Sequence, residues 1–292
     1  MNQKVSTQNW ILLGILSLIW GSSFILMKRG LLAFDFIQVG ALRVLISAIV
    51  VAPLAWIKRK DVNRKNLLPI FGVGLLGSGF PPFLYALALT EIGGAMAGIL
   101  NTLVPLFTFI FGVFIFGTMF QFQKLIGVIV GLVGALVILV IGSQLPSEGN
   151  PVFGVFAILS TICYAFSVNI IQKYLKETHP ISITAYSFVL IGLPALAIFL
   201  LTNPIETFYT ESAIITAFSA VILLAVLGTV VANLLFFKMT QQTSALFAST
   251  VTYTIPIVAL LWGLFDNEKL NYIHFIGMAL ILLGVFITSK SK

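Results

Sequence analysis

GAMAGILNTLVPLFTFIFGVFIF, residues 94–116, has no charged side chain and confines its polar side chains to Asn101, Thr102 and Thr108. About 20 mostly apolar residues suffice for a helix to cross a bilayer, so this stretch reads as a membrane span. Its landmarks recur downstream: Pro105 and Gly112 answer to Pro256 and Gly263 at an offset of 151. Further on, Gly127 and Gly134 answer to Gly277 and Gly284 at 150, so one loop residue is gained or lost between the pairs. Weaker matches extend toward the N-terminus. Trp20 stands opposite Tyr164, and Asp35-Phe36 opposite His179-Pro180, both at 144.

The rest of the chain has the same character. It is 59% hydrophobic and 9% charged, with a mean hydropathy of +1.11, where a soluble domain is roughly 45–50% apolar and 25% charged. So little polar surface cannot face water all round, which excludes a soluble enzyme, a nucleic-acid module and a disordered chain. Windows of span length fall at 10–29, 35–57, 67–89, 94–116, 122–142, 152–174, 181–202, 214–238, 243–265 and 271–289. Charged or turn-rich breaks separate them, among them Lys58-Arg59-Lys60-Asp61, Pro146 to Pro151 and Asp266-Asn267-Glu268-Lys269. No loop is long enough for a separate domain. The first window runs into Lys28-Arg29 without a small-residue cleavage site and reads as a retained helix.

Ten spans put both termini on one side. The face bearing the N-terminus then collects Lys4, Lys58, Arg59, Lys60, Arg64, Lys65, Lys124, Lys173, Lys176, Lys238, Lys290 and Lys292, and the other only Lys28, Arg29 and Lys269. The positive-inside rule places both termini in the cytoplasm. The net charge of +7 is thus a topology signal rather than a nucleic-acid footprint. A repeat with an odd number of spans enters the membrane from the opposite side in its second copy. The expected fold is therefore an all-α integral membrane protein of ten transmembrane helices. It divides into two inverted-topology five-helix repeats, residues 1–146 and 147–292, in one membrane unit, an arrangement frequent among secondary transporters.

At these residues the chain resembles the ten-helix EamA-type family of the drug/metabolite transporter superfamily. The resemblance rests on Leu18-Ile19-Trp20-Gly21-Ser22-Ser23-Phe24, on Ala41-Leu42-Arg43-Val44 and on Asn101-Thr102-Leu103-Val104-Pro105-Leu106. It continues from Pro256 through Asn267-Glu268-Lys269-Leu270 to Gly277 and Gly284, and covers the whole chain. One departure stands out. The family usually carries a glutamate after each half's proline helix; Glu268 fits, but the first half reads Gly117-Thr118-Met119-Phe120. The resemblance implies a carrier of small polar metabolites, often an exporter of amino acids or related compounds, with a cavity between its halves. It also implies a bacterial cytoplasmic (inner) membrane location.

Polar residues inside spans face the protein interior or an aqueous cavity, because lipid offers them no partner. Arg43 lies eight residues inside the second span, about 12 Å of rise. Its guanidinium either meets an anionic group in the cavity, or reaches the outer interface or Asp35. Helical stripes join Ser160, Tyr164 and Ser167; Ser249, Tyr253 and Pro256; and Asn101, Pro105 and Thr108. Asn233 sits one turn from Thr229, and Trp20 shares a side with Ser23. The substrate-binding candidates are Trp20, Arg43, Asn101, Tyr164, Asn233 and Tyr253, with Pro105 and Pro256 as helix kinks. The competing role for the serines and threonines is to join helices or bond their own backbone.

No acid lies mid-span; Glu91 and Glu268 stand at edges. The cavity should therefore favour neutral, zwitterionic or anionic solutes over lipophilic cations, by facilitated diffusion or by coupling through Glu91. An enzyme would need a nucleophile–base pair, a metal cluster or paired carboxylates. His179 and His274, expected at the interface, fall at span ends, and Cys163 reads as a packed thiol. No cofactor, metal or nucleic acid is expected. The partners are the bilayer and a small-molecule substrate. The stripe Gly127, Gly131 and Ala135 serves either packing within the chain or dimerisation, leaving a monomer or weak homodimer. Rival readings are a channel, a lipid-handling protein or an uptake carrier for another metabolite.

Overall fold

The computed structural model describes residues 7–59, 61–120, 122–137, 149–202, 211–243, 245–268 and 272–290. Lys4, Lys60, Lys269 and Lys292, Glu148 and Glu206, and most of the turn from Pro146 lie outside them. So do the side chains of Lys124, Ala135, Glu211 and Lys290. Within them the protein is all-helical.

Among the described residues, eight helical stretches are long and apolar enough to cross a membrane: Thr7–Gly30, Phe36–Ile57, Arg64–Ala88, Gly94–Phe114, Pro151–Tyr174, Pro180–Leu201, Ser212–Gln242 and Phe247–Phe265. They fall on eight of the ten windows. The other two windows hold α7, Phe122–Leu136, and α14, Tyr272–Lys290, whose shorter apolar stretch is Tyr272–Gly284. The helices named α1, α2, α8 and α9 below are Thr7–Gly30, Phe36–Ile57, Gly154–Tyr174 and Pro180–Leu201.

Among the described residues, four of the ten windows read from the sequence hold interrupted helices. The third joins α3 (Arg64–Gly74) to α4 (Phe80–Ala88) through a π turn, Leu75–Gly79. The eighth joins α10 (Glu211–Ala225) to α11 (Ala232–Gln242) through another, Val226–Val231. The fourth ends α5 (Gly94–Asn101) and restarts as α6 (Val104–Phe114); the ninth runs from α12 (Ala245–Ser249) through a 3₁₀ turn, Thr250–Tyr253, into α13 (Ile255–Phe265). Pro105 and Pro256 thus sit in the first turn of a new helix instead of bending a continuous one. The reason is that a first-turn residue has no intrahelical use for the N–H that proline lacks.

Close contacts fix how the spans pair. A Cβ on Gly134 would stand 2.8 Å from both the Gly277 carbonyl oxygen and the Ile281 nitrogen, so α7 and α14 touch backbone to backbone. The stripe Gly127–Gly131 therefore packs inside the chain, against Gly284. α2 lies on α9 through Val44, Ala48, Val51 and Ala55 against Ala185, Phe188, Ile191 and Ala195. α1 lies between α10 and α13, α3 and α4 against α8, and α5 against α13. The outward faces are apolar, as lipid requires: Leu18, Ile49, Leu193 and Leu264 are all well exposed. Buried hydroxyls turn inward on their own helices, Ser17 to Leu13 O, Ser23 to Ile19 O and Thr108 to Val104 O. Without water, each such bond removes an orphaned polar atom.

Candidate functional site

The interrupted spans converge with α1, α2 and α8 on an interior cavity of about 90 Å³. Trp20, Arg43, Asn101, Tyr164 and Asn233 all line it. Tyr253 stands behind the wall residue Thr252, packed in the core with its hydroxyl buried and without a hydrogen-bond partner. Pro105 and Pro256 lie one residue beyond the wall residues Val104 and Ile255.

Both π turns shape the chamber. A π turn frees a carbonyl from the helical ladder and widens the helix, a feature frequent at functional sites. In the eighth span Thr229 Oγ1 donates to Leu224 O at 3.0 Å and accepts from Arg43 Nε at 2.7 Å. Trp20 Nε1 donates to Gly228 O at 3.0 Å, and its ring meets Phe236 edge-on at 5.0 Å. Asn233 Nδ2 donates to Ser78 Oγ at 3.0 Å, tying the eighth span to the π turn of the third. Across the cavity the Tyr85 hydroxyl donates to Asn101 Oδ1 at 2.8 Å, and its ring stacks on Tyr164.

Arg43 resolves in favour of the interior. It is 6% exposed, and Asp35 instead caps its own helix by accepting from Gln38 N at 2.7 Å. Glu91 is remote from the cavity walls: it accepts from Asn150 N at 2.8 Å where the α8 span begins. Ser160 is also off the wall, bonded to Pro81 O. His179 is exposed and caps α9 through Ile181 N, whereas His274, in the first turn of α14, is buried. Among the described residues no cluster of metal-ligating side chains occurs.

The walls come in corresponding pairs. At offset 144 stand Trp20 with Tyr164 and Ser23 with Ser167; at 151 stand Gly77 with Gly228, Ser78 with Thr229, Tyr85 with Phe236, Asn101 with Thr252 and Val104 with Ile255. The Gly77-Ser78 pair escaped the sequence reading, although LLGSG (75–79) and VLGTV (226–230) carry a visible signal at the offset of the prolines. Arg43 breaks the pattern. Its counterpart is Ser187, fully buried and bonded to Ile70 O at 3.1 Å.

The corresponding helix ends differ in the same way. Where α1 ends and α5 begins, Glu268 accepts from Gly94 N at 2.8 Å, Ala95 N at 3.0 Å and Lys28 Nζ at 3.1 Å. Asp266 pairs there with Lys28 at 2.5 Å and Arg29 at 2.7 Å. At the other end, where α8 finishes and α12 begins, the positions matching Lys28 and Arg29 are Gln172 and Lys173. Gln172 Oε1 accepts from Ala245 N at 2.9 Å, and Lys173 donates to Phe116 O at 3.2 Å. The glutamine thus caps the helix that the missing glutamate near Thr118 would have capped. One set of helix ends is tied by ion pairs, the other by hydrogen bonds to neutral acceptors.

Comparison with known proteins agrees with this architecture. The model of the EamA-like transporter family matches residues 8–140 and 153–290. An uncharacterized transporter of Archaeoglobus fulgidus is 24% identical over 98% of this chain and 100% of its own. The uncharacterized inner membrane transporter YedA of Escherichia coli K12 is 24% identical over 95% of this chain and 89% of its own. YetK of Bacillus subtilis, also an uncharacterized transporter, is 25% identical over 93% and 84%. A solved crystal structure with 18% identity matches 98% of this chain and 97% of its own at a TM-score of 0.65, a likeness of fold alone. The chain belongs to the EamA-like transporter family: it is a multi-pass membrane transporter, not an enzyme.

Proposed function

We propose that the protein is a secondary carrier that works by alternating access, with two inverted five-helix repeats, residues 1–146 and 147–292, rocking about the central cavity. One observation carries the reading: the cavity walls are supplied by residues at equal offsets in the two halves, so each half offers a like surface to the same chamber. The helix pairs support it too, since α2 with α9, α5 with α13, and α7 with α14 join spans that correspond in the sequence repeat, as two halves related by a pseudo-twofold axis would. The two matched segments of the family model fall one in each half.

The substrate is a small polar metabolite, an amino acid or related compound, and the direction is export. The size of the cavity and its mixed polar and aromatic walls fit such a solute. Arg43 holds an anionic group, Asn101 and Asn233 set orientation, and Trp20, Tyr164 and Tyr253 form walls and gates. No cofactor takes part. The lysine and arginine distribution supports cytoplasmic termini in a bacterial cytoplasmic membrane, with the protein as a monomer or weak homodimer. The test is counterflow in proteoliposomes preloaded with a mixed amino-acid pool and challenged with single labelled solutes. Saturable accumulation of one label, competed by its unlabelled form, is expected. Flux that neither saturates nor shows counterflow would mean a channel.

A further inference from the structure

Among the described residues that line the cavity, Arg43 is the one charged side chain and none is a carboxylate. A guanidinium carries five N–H donors. Arg43 spends one on Thr229, and its terminal nitrogens have no hydrogen-bond partner among the described residues. They are not sealed in the packing either, since among the described residues they do not belong with enclosed, unpartnered side-chain atoms such as those of Ser182, Thr184 and Tyr253. A cation that is 6% exposed thus directs a free planar fork into a chamber of about 90 Å³. Ser187, at the matching place in the other half, supplies no second charge.

From this asymmetry we infer that the carrier is an exchanger of small monocarboxylates whose bound substrate neutralises Arg43. The inference rests on the alternating-access reading and specifies the substrate class of the same site. Switching access requires a closed intermediate from which most water has left. Closing on an unpaired cation is strongly unfavourable, and closing on a cation paired with a carboxylate is far less so. Two parallel charge-assisted hydrogen bonds from the fork fit a carboxylate's two oxygens. The loaded carrier therefore reorients readily and the unloaded one slowly, which makes transport an exchange. A zwitterion leaves the closed chamber with its net positive charge, since no acid there meets its ammonium. A 2-oxo acid should accordingly be preferred over the amino acid of the same carbon skeleton.

The test uses proteoliposomes loaded with labelled pyruvate, 4-methyl-2-oxopentanoate or phenylpyruvate, and in parallel with labelled alanine, leucine or phenylalanine. External unlabelled 2-oxo acid should speed efflux of at least one labelled 2-oxo acid tenfold or more. Its amino-acid partner should move at least tenfold more slowly. Arg43→Gln should abolish this exchange. Thr229→Asp, which sets a carboxylate where Arg43 Nε already bonds, should reverse the preference toward the amino acid, and it guards against a loss that reflects misfolding alone. Efflux indifferent to external anion, faster amino-acid exchange, or full activity in Arg43→Gln would each overturn the proposal. So would the absence of acid exchange in vesicles where Ser23→Cys is still labelled from both faces. Failure of that two-sided labelling as well would remove the carrier reading beneath it.

Discussion

Replacing Glu268 by alanine tests the ion-paired cluster that joins the end of α1 to the start of α5. The side chain is 8% exposed and accepts three hydrogen bonds, two from backbone amides in the first turn of α5 and one from Lys28. Hydrogen bonds to a charged group are worth about 1.5–3 kcal/mol each. The amides recover part of that from water once the side chain is gone. The interaction of the carboxylate with the helix N-terminus adds about 0.3–1 kcal/mol. Lys28 is one-third exposed and keeps Asp266, so its share is discounted to under about 1 kcal/mol. Glu268→Ala should then cost about 3 kcal/mol. Glu268→Gln, which keeps one acceptor, should cost about half as much, and Lys28→Met under about 1 kcal/mol, since both acids keep other partners. Unfolding in mixed micelles by graded addition of SDS reads these differences. A Glu268→Ala variant within about 0.5 kcal/mol of wild type, or a Lys28→Met variant less stable than it, would refute the reasoning.

Two further outcomes follow from packing. Gly134→Ala should destabilise the protein by about 1–3 kcal/mol, because the new methyl runs into the backbone of α14. Gly14→Ala, with open space around it, should be neutral or slightly stabilising in the same SDS titration. Tyr253→Phe should leave stability unchanged or raise it by up to about 1 kcal/mol, since it removes a buried hydroxyl with no partner. If that hydroxyl contacts substrate in another stage of the cycle, counterflow falls in Tyr253→Phe while its unfolding curve does not.

Much of this architecture is readable in the sequence because a bilayer leaves a chain few choices. Charge-free runs of fixed length must be helices, and lysine counts must alternate if the number of spans is right. Eight of the ten windows correspond to helices of spanning length, and five of the six candidate binding residues line one cavity. What escaped was decided by three-dimensional neighbours. An arginine 12 Å inside a span can reach either way, and only the position of Thr229 turns Arg43 inward. Proline marks a break in hydrogen bonding but does not say whether the helix bends or restarts. Glu268 looks like a loop residue until the chain brings the first turn of α5, 174 positions earlier, onto its carboxylate. The π turns were foreseeable in principle, since Gly77-Ser78 and Gly228-Thr229 repeat at the offset of the prolines.

The central claim is that one cavity between two like halves is opened to each side of the membrane in turn. Ser23 lines that cavity and bonds only to its own helix, so Ser23→Cys in a Cys163→Ala background is a mild substitution in the wall. The decisive measurement is its modification by a membrane-impermeant maleimide in right-side-out and inside-out vesicles, with and without transported solute. Labelling from both faces, in proportions that solute shifts, is the expected result. Labelling confined to one face under every condition would contradict alternating access through this cavity.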